Sequence, residues 1–193
     1  KLTIVGSNGK RYPFLLKAHE DTRLDERVMQ LFSLVNSLVI SSTIPMREKL
    51  VITTYKIVPL MKDVGLMGWL QDSTTLYELL RGYREKWNVP LKAEYQKTLK
   101  ISPNFSQLQG DDRLIAYKAG LSATKGDDFK YIILQGSRDS NNWVERRSVY
   151  TTTLAVTSVA GYILGLGDRH LMNIMFHSET ARLVHIDFGD CFE

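Results

Sequence analysis

Cysteine is almost missing. The 193 residues hold one, Cys191, which excludes an internal disulfide and suits a reducing compartment. No apolar run approaches the roughly 18 residues of a membrane span, and no signal peptide opens the chain. Charge of one sign is scarcely in excess: 25 basic residues against 21 acidic ones leave +4, spread along the chain. That balance permits an acidic ligand but makes no case for direct nucleic-acid binding. Nor is the composition that of a disordered segment, since 44% of the residues are apolar, enough for a core. The length fits one ordinary domain or two small lobes. The sequence starts and stops in the middle of motifs and reads as a fragment of something longer.

What is present begins with a hairpin. Lys1 to Val5 alternates weakly, Tyr12 to Lys17 is apolar and aromatic, and Gly6-Ser-Asn-Gly9 between them carries an Asn-Gly turn signal. These glycines do not make Gly-x-Gly-x-x-Gly and no helix follows them, so a phosphate-cradling loop is the weaker reading. Lys17 ends the second strand and, taken alone, is a solvated strand terminus. From Thr22, the positions Leu24, Val28, Leu31, Phe32, Val35, Leu38 and Val39 follow helical spacing, with Asp21 or Thr22 to cap the start. Val51 to Leu60 reads as a strand, and Gly65-Leu-Met-Gly-Trp-Leu70 as a second extended segment. Its two glycines beside Trp69 allow backbone to approach a flat ligand closely, although a core tryptophan at a turn explains the pattern too. Asp72 to Thr75 offers caps for a helix through Lys86, which Asn88-Val-Pro90 breaks. Residues 91–125 are polar, with apolar residues spaced for short helices, and carry no chemistry of their own. A further short helix is expected within Gly126–Leu134, capped by Asp127. Asn142 to Leu164 is a long helix whose later turns carry the small residues Ala155, Ser158, Ala160 and Gly161; Gly165 and Gly167 stop it.

The chemistry is concentrated near the end, in Gly165-Leu-Gly-Asp-Arg-His-Leu-Met-Asn-Ile-Met-Phe176 and the following Val184-His-Ile-Asp-Phe-Gly189. Asp168 and Asn173 lie five positions apart. A strand-like Leu183–Asp187 then ends on Asp-Phe-Gly. Phosphoryl transfer from ATP needs a carboxylate beside the attacking hydroxyl and oxygen ligands for the metal that bridges the phosphates. Protein kinases supply these as an Asp, an Asn five residues later and the Asp of a downstream Asp-Phe-Gly. The same order and first spacing occur here, with Asp-Arg-His in place of His-Arg-Asp. Asp168 is therefore the candidate to accept or orient a hydroxyl proton, with His170 as an alternative base or a second polar group near the γ-phosphate. Asn173 and Asp187 suit magnesium, a hard ion that takes oxygen ligands. Arg169 is expected to tie the loop to a neighbouring acid, His185 to be a hydrogen-bonded structural residue, and Cys191 to be inert.

The inverted Gly-Asp-Arg-His-x-x-Asn, with 161–170 and 185–193 read as longer strings, resembles the kinases related to phosphatidylinositol 3-kinase, and within that family the target-of-rapamycin (TOR) branch. Lys1–Gly9, Phe14–Asp21 and Asp25–Phe32 fit the same resemblance, so it runs through the chain. It implies an α+β, two-lobed protein-kinase-like fold truncated at both ends: a partial N-lobe over 1–68, with an antiparallel sheet plus a helix, and a partial, mainly helical C-lobe over 69–193, with 88–125 a family-type insertion. By resemblance, Lys17 meets the nucleotide phosphates, and Glu20 or Asp25 orients it. Gly68, Trp69 and Leu70 form the hinge, with Trp69 over the base; Leu15, Tyr55 and Thr75 join the nucleotide contacts, and Met175 and Ile186 sandwich the adenine from below. The resemblance implies a serine/threonine protein kinase using ATP with Mg2+ (or Mn2+), and protein substrates. It also implies a WD-repeat propeller subunit on the insertion, scaffold subunits of a TOR-type complex, and a cytoplasmic place, peripheral on endomembranes such as the lysosome or vacuole. A phosphoinositide lipid kinase and a catalytically inactive scaffold are the alternatives; the visible Asp190-Cys-Phe-Glu193 is not the basic patch a head-group kinase needs. The phosphate-contacting loop of the family lies before residue 1, so the fragment alone is expected to be inactive. Two departures stand out: Leu171-Met172 where TOR kinases usually carry Pro-Ser, and Ala18 in place of a common glycine. Neither removes a ligand.

Overall fold

The computed structural model describes residues 1–43 and 50–191. Phe192 and Glu193, part of the non-basic stretch noted above, lie outside the described residues. The chain divides into two compact units, one of Lys1–Leu76 with Ser137–Glu193, the other of Tyr77–Gly136.

In the first unit, β1 (Leu2–Val5) and β2 (Arg11–Ala18) form the expected hairpin, closed by Gly6 N–H to Lys10 O at 2.9 Å. With β3 (Ile57–Met61) and β4 (Val64–Gly68) they make an antiparallel sheet in the order β1-β2-β4-β3. Helix α1 (Arg23–Ser41) packs Val28, Met29 and Phe32 against Ile57 and Met67 of this sheet. Val28 and Phe32, with Leu31 and Val35 packed beside them, belong to the stripe expected from the helical spacing; Met29 joins the core although it was not on that list, and Leu38 of the list is 62% exposed. Of the two expected caps, Thr22 holds the N-cap position, but its side chain makes no capping bond. It is fully buried where β4 crosses, and a Cβ on Gly65 would sit 2.1 Å from its hydroxyl oxygen, so only glycine allows that approach. Asp21 instead accepts from the Arg23 amide at 3.0 Å.

The strand expected over Val51–Leu60 is shorter, beginning at Ile57. The preceding backbone is claimed by α1: Asn36 bonds both the N–H and the C=O of Ile52 at 2.8 Å, and Tyr55 N–H points to the Met29 sulfur at 3.4 Å. These bonds replace ladder pairing.

Helix α6 (Ser140–Ile163) starts on Asp139, whose carboxylate accepts from the Asn142 amide at 2.8 Å. Of its expected small contact residues, Ala160 and Gly161 are buried, but Ala155 and Ser158 face outward; Thr153 and Thr157 take the inner positions instead. A second antiparallel sheet, β5 (Ser73–Thr75), β6 (Ile174–His177) and β7 (Leu183–His185), rests on this helix. Leu183 N–H donates to Thr153 Oγ1 at 3.2 Å, and Arg146 holds the β6–β7 turn by donating to Ser178 O and Glu179 O. Residues 73–75, read as helix caps, are thus a strand, because β6 offers them a pairing edge.

The second unit is helical: α2, which begins at Leu76 and ends at Lys86, α3 (Ala93–Ile101), a 3-10 turn (Phe105–Gln107), α4 (Gly110–Leu121) and α5 (Asp128–Gln135). Asp127 is the N-cap of α5 but makes no side-chain capping bond. Arg84 ties the unit together. Its guanidinium, 6% exposed, donates to Glu94, to Asp128 and to the Leu91 carbonyl.

Candidate active site

The end of α6 aims the loop that carries Asp168 and Asn173. Gly165, at φ +56°, donates to Tyr162 O, and Leu166 donates to Gly161 O at 2.8 Å, the paired bonds that close a helix on a left-handed glycine. Gly167 N–H then reaches Asp190 O at 2.8 Å, which draws the segment after Asp-Phe-Gly onto the loop. Asp168 and Asp187 are both left-handed, at φ 51° and 60°. Non-glycine residues rarely hold this conformation, and it concentrates at functional sites.

The loop and the Asp-Phe-Gly segment are stitched together at three further points. Ile186 N–H donates to Asn173 O at 3.0 Å. Arg169 donates to Ile186 O at 2.9 Å and to Asp187 O, and its guanidinium lies 5.6 Å from the Phe188 ring. Arg169 therefore binds carbonyls rather than the acid expected of it, and its burial lowers its pKa. Asn173, 8% exposed, donates through Nδ2 to the Asp168 carboxylate and carbonyl, both at 3.1 Å. The strand expected to run to Asp187 stops at His185, because the Ile186 and Asp187 carbonyls are held by Arg169.

From the other sheet, Lys17 extends its ammonium to Glu20 and to Asp187 Oδ1, the latter at 3.3 Å. Burial alone would lower the Lys17 pKa, but the bond to Glu20 and the charges of Asp187 and Asp25 raise it. The question left between Glu20 and Asp25 thus has a geometric answer: Glu20 touches the lysine. Asp25, 4% exposed, turns to the Phe188 amide at 3.0 Å instead. Burial pushes its carboxyl up, against the opposing effects of that bond and of Lys17. Phe188 is wholly buried, edge-on to Phe32 with centroids 5.7 Å apart.

Beside these groups lies a cavity of about 160 Å³ lined by Leu15, Tyr55, Met67, Gly68, Trp69, Leu70, Met175 and Ile186. Seven of the eight were named from sequence. Met67 was not, although it pairs directly with Leu15 across the β2–β4 ladder, and strand alternation places it on the same wall. Thr75 is not on the wall; it lies in β5 opposite Met175. The amides of Gly68 and Trp69 are already bonded, to Lys56 O at 2.7 Å and Pro13 O at 3.1 Å.

Residues 11–193 match the family described as phosphatidylinositol 3- and 4-kinase. The chain belongs to this family. Among curated relatives, serine/threonine-protein kinase mTor of Drosophila melanogaster is 47% identical over the whole chain, and serine/threonine-protein kinase TOR of Arabidopsis thaliana 45%. The chain spans only 8% of the length of each. Serine-protein kinase ATM of Sus scrofa is 33% identical over 98% of the chain and 6% of its own length. The solved open conformation of CtTel1 superposes with a TM-score of 0.82 at 30% identity, covering 99% of this chain and 7% of that one. The α+β kinase fold is therefore that of the phosphatidylinositol 3- and 4-kinase family.

Membership in this kinase family implies ATP and a divalent metal. The residues fit such an ion. Both Nδ2 bonds of Asn173 go to Asp168, so its amide oxygen is the end left to a cation, and Asp187 adds a carboxylate. Among the described residues no group of three or more His, Cys, Asp or Glu is placed to hold a metal. Two protein oxygens completed by phosphate oxygens are what a hard ion bound together with a nucleotide requires. No helix is long and apolar enough to cross a membrane among the described residues. His170 Nδ1 accepts from the Met172 amide at 3.2 Å, and its Nε2 lies 3.7 Å from Asp168 Oδ1. His185 departs from expectation: it is 7% exposed, and neither ring nitrogen has a hydrogen-bond partner. Burial pushes the Cys191 thiol up, in line with an inert cysteine.

Proposed function

We propose that this chain is the catalytic core of a serine/threonine protein kinase of the TOR type, which transfers the γ-phosphate of ATP to protein hydroxyls in growth and nutrient signalling. The observation that carries this reading is the chain of contacts from Lys17 to Asp187 and on to the Asp168–Asn173 loop, beside an apolar cavity of about 160 Å³. We place the lobe boundary near Gly68 and Trp69, with 1–68 in the N-lobe, 69–193 in the C-lobe and 88–125 as an insertion.

In this reading the adenine lies between Leu15 and Tyr55 on one side and Met175 and Ile186 on the other, with Trp69 covering it. Because the Gly68 and Trp69 amides are already bonded, the hinge donor is the Leu70 amide. Thr75 acts indirectly, as the strand partner of Met175. Lys17, oriented by Glu20, meets the phosphates as a point charge, while Asp25 holds the Asp-Phe-Gly backbone from α1. Asn173 and Asp187 hold Mg2+, for which Mn2+ substitutes. When bound, that ion neutralises charge on the phosphate oxygens. Asp168 takes or orients the proton of the acceptor hydroxyl. His170, whose Nδ1 accepts a backbone N–H, carries its proton on Nε2 when neutral and serves as a donor to the phosphoryl oxygens.

The helical unit carries the partner surface. Tyr95, Ile101, Leu114, Ile115, Tyr117 and Leu121 on α3 and α4 are exposed, more apolar surface than a solvated helix pair needs. A WD-repeat propeller subunit is the proposed occupant, with scaffold subunits of a TOR-type complex elsewhere. The proposed place is cytoplasmic, peripheral on endomembranes. The test uses the full-length protein with Mg-ATP, offering a Ser/Thr protein substrate and phosphoinositide vesicles in parallel. Labelled serine or threonine and unlabelled lipid are expected. Label on the inositol ring alone makes it a lipid kinase, and label on neither acceptor makes it a scaffold.

A further inference from the structure

A second cavity, of about 430 Å³, shares Tyr55, Gly68, Trp69 and Leu70 with the nucleotide cavity but is separate from it. Tyr12, Phe14 and Val184 contribute apolar wall. Its charged lining is of one sign: Lys56 and Arg182 line it, with the His177 imidazole beside them, and no aspartate or glutamate does. His177 and Arg182 face each other across the β6–β7 turn, where His177 N–H donates to Arg182 O at 2.9 Å. Arg182 reaches over to the segment before β3, donating one Nη1 bond to Val51 O at 3.1 Å, and Lys56 lies on that same segment. Among the described residues none of the three side chains has a carboxylate partner. Two cations, Lys56 and Arg182, in a concave site with no acid are compensated by a ligand anion or by water alone. An apolar wall opposite them selects a ligand with an apolar body.

We propose that this cavity is a second small-molecule site for an organic anion, an aromatic or aliphatic body with a phosphate or carboxylate head. The head lies against Lys56, His177 and Arg182, and hydroxyls of Thr53, Thr54 and Ser73 are at hand to add bonds. Phosphotransfer is not needed for the site to exist.

The experiment titrates the full-length protein with phenyl phosphate, phenol and inorganic phosphate by ligand-observed NMR, with a saturating ATP analogue holding the nucleotide site. Phenyl phosphate is expected to bind at least roughly tenfold more tightly than either fragment. The Lys56→Gln/Arg182→Gln double variant is expected to lose about tenfold of that affinity while still binding the ATP analogue, which shows that it is folded. Lys17→Met is expected to leave phenyl phosphate binding unchanged. Phenol binding as tightly as phenyl phosphate, affinity unaltered in the double variant, or affinity lost with Lys17 instead, each overturns the proposal. So does absence of binding at millimolar probe.

Discussion

The Lys17 ammonium stands 3.3 Å from Asp187 Oδ1, although 170 positions separate the two residues in the chain. Each group has its own support: Glu20 holds the lysine, and Arg169 holds the Asp187 backbone. Removing either one therefore leaves the other still aimed at the same point. Asp187→Ala is expected to lower kcat by roughly 10²–10³-fold or more, because it removes a fixed charge from where the phosphates would lie. Lys17→Met is expected to fall mainly on the nucleotide, raising KM for ATP as well as lowering kcat. Steady-state kinetics of the full-length protein, with nucleotide binding measured in parallel, decides the matter; an Asp187→Ala protein with undiminished turnover would refute the metal assignment.

Asp168 and His170 make opposite predictions as the base. With His170 Nδ1 occupied by the Met172 amide, a neutral ring presents Nε2–H, which donates and cannot accept. Asp168→Asn should then cost about 10²–10⁴-fold in single-turnover rate, the range for loss of a positioned proton acceptor. His170→Gln keeps a donor and should cost clearly less. The reverse order would move the base to His170.

Much of this site was legible from residue types and spacing. Asp168, Asn173 and Asp187 follow from the chemistry and its order along the chain, whereas seven of the eight cavity residues follow only from the family resemblance, since strand and turn patterns alone make them core residues. What escaped was decided by tertiary competition for backbone groups. Asn36, an unremarkable helix residue, binds both polar groups of Ile52 and shortens the strand read over Val51–Leu60. Arg169 satisfies two carbonyls that strand periodicity would have assigned to a ladder, and ends β7 at His185. Asp25 and Glu20 could not be separated in sequence because both are acids within one turn of the α1 start; only burial and the direction of the Phe188 amide distinguish them.

In the helical unit, Arg84 is a single cation serving two carboxylates. Its hydrogen bonds hold the Glu94 carboxyl down at about 2, with Thr124 assisting against burial. Arg84→Met would strand Glu94 and Asp128 without their partner, at a cost of about 3–5 kcal/mol. Hydrogen exchange in α3, α4 and α5 is expected to accelerate, with α6 unaffected. The sign in pH follows from the depressed value: the contribution is complete above the ordinary glutamate range near 4.5 and is lost as pH falls towards 2. If α3 exchanges at the parent rate in the variant, Arg84 is not what holds the unit.

His185 works in the opposite sense to a stabilising charge. Burial, with Arg169 nearby, pushes its pKa down from 6.5 to about 4, and neither ring nitrogen gains a hydrogen bond in return. The neutral ring is the form the fold accepts, so the unfolded state binds the extra proton between those two values. Stability from this residue is therefore complete above about pH 6.5 and drains away as pH falls towards 4, by on the order of 3 kcal/mol in total. His185→Leu removes the titrating group and leaves no buried polar atom unpaired, so at pH 7.5 it should change local stability little. At pH 5 the leucine protein should be the more stable of the two. Exchange of the β6–β7 amides, compared between the two proteins at each pH, reads this directly. A parent protein whose protection relative to the leucine variant is the same at both pH values would show that His185 carries no such acid sensitivity.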